Sequence, residues 1–494
     1  MQKTFGYAML AGNDRPPPRL PAGPSRAEPP MTAAAPGRNV AYRRFRFPAD
    51  RDLGRAAGLS AGPAGLTLDA DGPGPAGNNP TPDADGSTAE ASGPTPEASG
   101  PTPDMDGSAP EASGPTPDTD GSAPDAAVDR PARTDPVPGV AAGTWTSPVT
   151  QVGFAAAELV PSWTADTPPG CWLRVEVRGW AGDAATTGWY ELGHWAADDG
   201  TVRRASVPGQ SDDRARVDAD TLRVTGARVT GWQVRVTLLR RPDAPAGPVL
   251  RTVGVVASAG SHVPASPPPG HVDSGPAGGD AHDDAGAPGR AWGRVLDVPR
   301  YAQRLHTGGE TRWGGGGDSW CSPTCVSMVL DFWGAGPTPD RYAWVDPPGP
   351  RPVVVHAARH CYDHAYAGAG NWPFNTAYAA THGVDAFVTR LRSLAEAERF
   401  VAAGIPLVVS AAFTRGQVPG LDYDTRGHLI VLAGFTTDGD PVLNDPYAPD
   451  DERVRRTVPR AAFEAAWQAG SGGIAYVLRP ETVPLPTPPA QANW

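Results

Sequence analysis

Cysteine is scarce in this 494-residue chain, which has only Cys171, Cys321, Cys325 and Cys361. Their irregular spacing excludes a disulfide scaffold, and a lone CxxxC is not a zinc signature. Long apolar runs are missing as well. No stretch approaches the roughly 18 consecutive apolar residues of a membrane helix, so no span is expected. The opening MQKTFGYAMLAGNDRPPPRL has no apolar segment ahead of its prolines, and a start at Met31 has none either. No secretory signal is visible, which leaves the cytoplasm or non-classical export as the expectation. Positive charge is in deficit: 42 Lys and Arg against 54 Asp and Glu give a net charge of −12. That balance argues against nucleic acid as a partner.

Glycine and proline, 60 and 59 of them, are abundant instead, so part of the chain cannot be packed core. Residues 1–39 are Pro/Ala/Arg-rich and expected to be disordered. From TPDADGSTAEASGP (81–94) to TPDTDGSAPDA (116–126) a 14-residue unit recurs, once halved. It carries nothing to bury on stacking, so it predicts a flexible acidic insertion over 71–139, not a solenoid. On either side, 40–257 reads as strands. Leu173, Val175 and Val177 alternate with Arg174, Glu176 and Arg178, and Trp232, Val234, Val236 and Leu238 alternate with Gln233, Arg235 and Thr237. Period-2 runs between Gly/Asp/Pro turns predict an antiparallel β-sandwich interrupted by the insertion. Seven tryptophans fall there (Trp145, Trp163, Trp172, Trp180, Trp189, Trp195, Trp232), expected as core and cross-strand pairs more than as a ligand platform. Residues 258–290 have linker composition.

From 291 the texture changes. Helices are expected after Cys321, over VVVHAARHCYDHAYA (353–367), and over SLAEAERFVAAG with a Ser393-x-x-Glu396 capping box. Strands follow at 405–413, 428–435, 440–445 and 473–480. This is an α+β order.

The decisive stretch is DSWCSPTCVSMVLDFWG, 318–334. Pro323 suits a first helical turn, and Gly334 stops the helix. Cys325, Met328, Val329 and Phe332 share one apolar stripe, so Cys325 is a core residue. Cys321 precedes the first turn, where free N–H groups and the helix dipole stabilise a thiolate. A nucleophilic thiol needs a base and an orienting group. His428 enters the apolar strand GHLIVLAGF, and the next strand ends in Asn444 and Asp445. Either could fix the imidazole tautomer.

In combination, DVPRYAQ, WCSPTCVSMVLDFWG, GNWPFNTAYAA, VTRLRSLAEAERFVAAGIPLVVS, GHLIVLAGF and NDP resemble the C39-like, papain-fold cysteine peptidases, especially an actinobacterial group. The resemblance covers 291–480 and reaches loosely into the preceding strands, leaving 481–494 as a disordered tail. It implies Cys321 as nucleophile, His428 as general base, Asp445 as orienting acid, and Gln303 with the Cys321 N–H as oxyanion donors. It implies cleavage of a peptide or protein substrate with no cofactor. Two features depart from the family: Cys-Ser-Pro stands where Cys-Gly-Pro is commoner, and Gln303 lies unusually far from Cys321. The alternatives are a peptide- or carbohydrate-binding protein with a degenerate peptidase fold, or acyl transfer to an amine.

Other features read more simply. His356, His360 and His364 recur at i, i+4 and i+8 as a zinc ligand set would, but without an HExxH glutamate they are expected as a half-exposed helix face. Glu396 and Glu398 are expected as surface charges, and Asp438-Gly439-Asp440 as a hairpin turn. WGGGGDS is expected to be a flexible loop. Double glycines in AGGD (277–280) and TGGE (307–310) are weak candidates for self-cleavage.

Overall fold

The computed structural model describes residues 39–69, 139–260, 291–307, 312–346 and 348–494, which form one packed body. The N-terminal segment, the repeat tract, the linker and both double glycines lie outside the described residues.

The N-terminal half contains β1 (Val40–Arg46), β2 (Arg55–Ala57), β3 (Leu59–Gly62), β4 (Gly65–Leu68), β5 (Ala141–Thr146), β6 (Thr150–Ala156) and β7 (Glu158–Asp166). β8 (Cys171–Ala181), β9 (Ala184–Ala185), β10 (Tyr190–Trp195), β11 (Ala215–Asp218), β12 (Thr221–Val224), β13 (Val229–Arg240) and β14 (Val249–Ser258) complete it. They make two antiparallel seven-stranded sheets. One runs β11-β12-β7-β14-β4-β3 with β1 also on β14; the other runs β10-β8-β13-β5-β2 with β6 on β13 and β9 on β8.

Register explains the alternation. Val234, Val236 and Leu238 of β13 stand opposite Val177, Val175 and Leu173 of β8, and all six are fully buried. Their apolar faces therefore meet across the strands, where such pairs stabilise most. Trp145, Trp163, Trp172, Trp195 and Trp232 are core residues. Trp180 donates to Gln233 (2.9 Å), and the Trp189 ring lies beneath the guanidinium groups of Arg178 and Arg235 at 4.5 and 4.3 Å.

The C-terminal half has α1 (Cys321–Phe332), α2 (Pro352–Cys361), α3 (Trp372–Ala380), β15 (Asp385–Arg390), α4 (Leu394–Ala402), β16 (Leu407–Phe413) and β17 (Thr425–Phe435). After these come β18 (Pro441–Asn444), β19 (Arg455–Thr457), α5 (Arg460–Ser471) and β20 (Ile474–Arg479). The six strands form one antiparallel sheet in the order β15-β20-β16-β17-β18-β19, so the chain as a whole is α+β. α1 seats Cys325, Met328 and Val329 in the core, and Gly334 ends it at φ 64°. Gly439 (φ 84°) sits in the expected hairpin turn, where a Cβ would strike Trp292.

Four expectations are corrected. The helix expected over 353–367 stops at Cys361, because the Asp363 carboxylate accepts from the backbone N–H groups of Ala365 and Tyr366 and closes a competing turn. Glu396 and Glu398 are buried, not surface charges. Glu396 accepts from Arg392 N and from Asn493 (2.7 and 2.8 Å), and Glu398 from Trp292 and Arg460 (3.1 and 2.7 Å). A buried carboxylate requires such donors. The tail at 481–494 is fastened: Tyr42 N donates to Ala492 O (3.0 Å), Asn493 is fully buried, and Trp494 packs edge-on against Phe400. The WGGGGDS segment is a folded turn with Gly316 and Gly317 buried.

The halves share a seam of apolar and charged contacts. Phe374 packs against Trp163 and Trp195, Arg390 pairs with Glu158 (2.7 Å), and Asp385 receives Arg44 (2.6 Å) and Arg479 (2.7 Å). All these ion-pair groups are nearly fully buried.

Candidate active site

Two neighbouring strands and one helix end supply the site. Cys321 is the first residue of α1, His428 lies near the start of β17, and Asp445 directly follows β18, the partner of β17. Three of the four residues singled out from the sequence are thus brought together.

His428 Nε2 lies 2.8 Å from Asp445 Oδ1, and the imidazole also hydrogen-bonds the Cys321 thiol. Asp445 is completely buried. Its Oδ1 further accepts from Tyr423 OH (3.1 Å) and Tyr447 N (3.0 Å), while Arg456 stands 3.5 Å from Oδ2. Asn444 faces the other way. Its amide donates to Val298 O and Pro299 O and its oxygen accepts from Arg455 Nε (2.6 Å), so it is Asp445 that meets the imidazole.

The electrostatics favour charge separation. Burial alone would push the Cys321 thiol up, but the hydrogen bond and charge of His428, then the N–H groups of Leu429 and Ser322, hold it below its ordinary value. Burial would likewise depress His428, yet Asp445 and Cys321 outweigh it and raise the imidazole to about 10. Burial would lift Asp445 too, and His428 with Tyr447 N keeps it below the usual carboxylate range. Such shifts hold sulfur and imidazole as an ion pair near neutral pH. Cys325 is the contrast: burial, with the negative charges of Cys321 and Asp445, pushes its thiol well up.

Ser322 explains how this chain departs from Cys-Gly-Pro. It sits in the helix without a positive φ, and its hydroxyl pairs with Tyr476 OH at 3.0 Å in the core. Gln303 is placed apart: it is buried, its Nε2 donates to Gly317 O (2.8 Å), and its side chain is not among those lining the cleft. Of the three helical-period histidines, His364 is separated from the other two. His356 and His360 stack at 4.0 Å, His382 joins them through Tyr378, and His364 lies beyond the helix end. Among the described residues, no group of His, Cys, Asp or Glu is placed to hold a metal ion.

Above Cys321 and His428 opens a cleft of about 630 Å³, walled by Tyr366, Trp372, Tyr423 and Tyr447 and by backbone around Gly314 and Gly370. Tyr423 and Tyr447, whose rings flank His428, were not anticipated; no spacing in the sequence ties them to it.

A thiol at a helix N-terminus, an imidazole on a strand and a buried carboxylate behind it make up the candidate site. Residues 295–474 match the Peptidase_C39 like family, and residues 111–258 match the Peptidase C39 N-terminal domain. The chain belongs to the C39-like peptidase family, of the actinobacterial type. No curated protein and no solved structure matches it.

Proposed function

We propose that this protein is a cysteine peptidase whose C-terminal half has a papain-like fold, preceded by a β-sandwich, and that Cys321, His428 and Asp445 carry out peptide amide hydrolysis. The hydrogen-bonded line from thiol to imidazole to buried carboxylate supports this reading above all else.

The thiolate attacks the scissile carbonyl carbon and forms a C–S bond, while the carbonyl π electrons move to oxygen. Cys321 N–H, free at the helix start, donates to that oxyanion. As the C–N bond breaks, the imidazolium gives its proton to the departing amine. Neutral His428 then takes a proton from water, and the hydroxide displaces sulfur from the thioester. Asp445 holds the ring so that Nε2 faces the carboxylate and the other nitrogen faces sulfur.

The test is iodoacetamide labelling of the folded protein from pH 5 to 9, with Cys321 and Cys325 read separately by peptide mass. Fast labelling of Cys321 at pH 6, slowed by His428→Ala and with Cys325 protected, is expected. A Cys321 no faster than an ordinary thiol would remove the nucleophile and favour a binding protein instead.

A further inference from the structure

The cleft wall is not built by the C-terminal half alone. The β11–β12 hairpin turns through Ala219 and Asp220, and both line the cleft that holds Cys321. Two buried carboxylates fasten this wall across the seam. Asp220, from the N-terminal half, accepts from Trp372 N at the start of α3 (2.8 Å) and from Thr221 Oγ1 (3.0 Å). Asp363, from the C-terminal half, accepts from Ser206 N (2.9 Å) of the N-terminal half, and from Asn371 Nδ2 (2.9 Å).

Backbone conformation marks the same place. Among the described residues, three that are not glycine have positive φ: Ala219 (52°), Trp313 (53°) and Ala367 (58°). Ala219 and Ala367 line the cleft, and Trp313 adjoins Gly314, which also lines it. A left-handed alanine costs free energy that the surroundings must impose, and such residues gather where a chain grips a ligand. The turn position of Ala219 is one that glycine or asparagine ordinarily fills.

We propose that the Asp218–Thr221 turn touches the substrate and determines specificity, so that an extended peptide seated across Cys321 contacts both halves of the protein. The proposal rests on the peptidase reading and deepens it: the N-terminal half is part of the peptide site.

The test compares two reagents on the full chain. Iodoacetamide reads the thiolate; tripeptide vinyl sulfones ending in Gly, Ala or Phe read the wall. Ala219→Asn keeps a residue that tolerates the left-handed region but adds a side chain to the cleft. It is expected to slow vinyl sulfone labelling of Cys321 by about tenfold or more relative to iodoacetamide, most for the Phe probe. Ala219→Gly removes a methyl group from the wall and is expected to move the Phe-to-Gly probe ratio the opposite way, which keeps the test open should the Asn variant fail to fold. Ratios that stay at the wild-type value, or both reagents slowing in parallel, would overturn the proposal. Slow iodoacetamide labelling of the wild type would sink the activated thiol, while the reagent ratio still reports on the turn.

Discussion

Asp445 divides its two oxygens unequally: one receives an imidazole, a phenol and a backbone N–H, and the other faces Arg456 alone. Removing its charge while keeping its shape should therefore act mainly through His428. In Asp445→Asn the imidazolium, raised to about 10 in the native protein, falls toward its ordinary value of about 6.5. Labelling of Cys321 at pH 7.5 is expected to drop about tenfold, because an imidazole titrating near 6.5 is mostly neutral there and the ion pair no longer persists. An unchanged profile would show that the carboxylate does not set the charge state. At this scale the sequence was informative about identity and poor about company. The helix start marked Cys321, and the strand edge marked His428. Nothing local separated Asn444 from Asp445, because adjacent residues at a strand end point to opposite sides, and only the placement of β18 decides which one faces His428. Tyr423 and Tyr447 reach the site from loops, where sequence periodicity carries no information.

Among the elements, those with a strong internal period were legible. α1 shows its stripe, and the paired strands β8 and β13 show their alternation. β15, β19, α3 and α5 were missed as elements. In α3 eight of nine positions are buried, so no amphipathic period survives, and β15 is buried on both faces. The error at α2 has a thermodynamic consequence. His356 and His360 on that helix, with His382 after α3, are held neutral by burial to about 2, 4 and 4, and the cationic groups Arg341, Arg359 and Arg204 around them add to the effect. Asp199 acts in the opposite sense on His360. Their folded values lie below the unfolded value of about 6.5, so the unfolded chain binds protons first. The stability they contribute is complete above pH 6.5 and is lost as pH falls toward 4. For His356, the most buried, the loss is on the order of 2 kcal/mol between pH 6.5 and 4.5. Chemical denaturation at the two pH values checks this, and His356→Gln should flatten the dependence. A slope unchanged by that substitution would place the acid sensitivity elsewhere.

The whole molecule is held by its seam. Glu158 pairs with the buried Arg390 and also with Arg223, so replacing Glu158 leaves Arg390 charged without its ion-pair partner, at a cost of about 3–5 kcal/mol. Because Phe374 and the Trp163 and Trp195 rings share one core, calorimetry should show a single transition that Glu158→Gln shifts as a unit. Two transitions, only one of them shifted, would mean that the halves fold independently. The seam also has a consequence in time. β1, near the beginning of the described chain, pairs with β14, and Tyr42 closes onto Ala492, some 450 residues later. A chain made from its N-terminus must hold its first strand open until most of its partners exist, and contacts of such long range form slowly. Cys321 is likewise synthesised more than a hundred residues before His428 and Asp445. On the ribosome its thiol stays an ordinary, mostly protonated one, so reactivity is acquired by the finished protein and withheld from the growing chain.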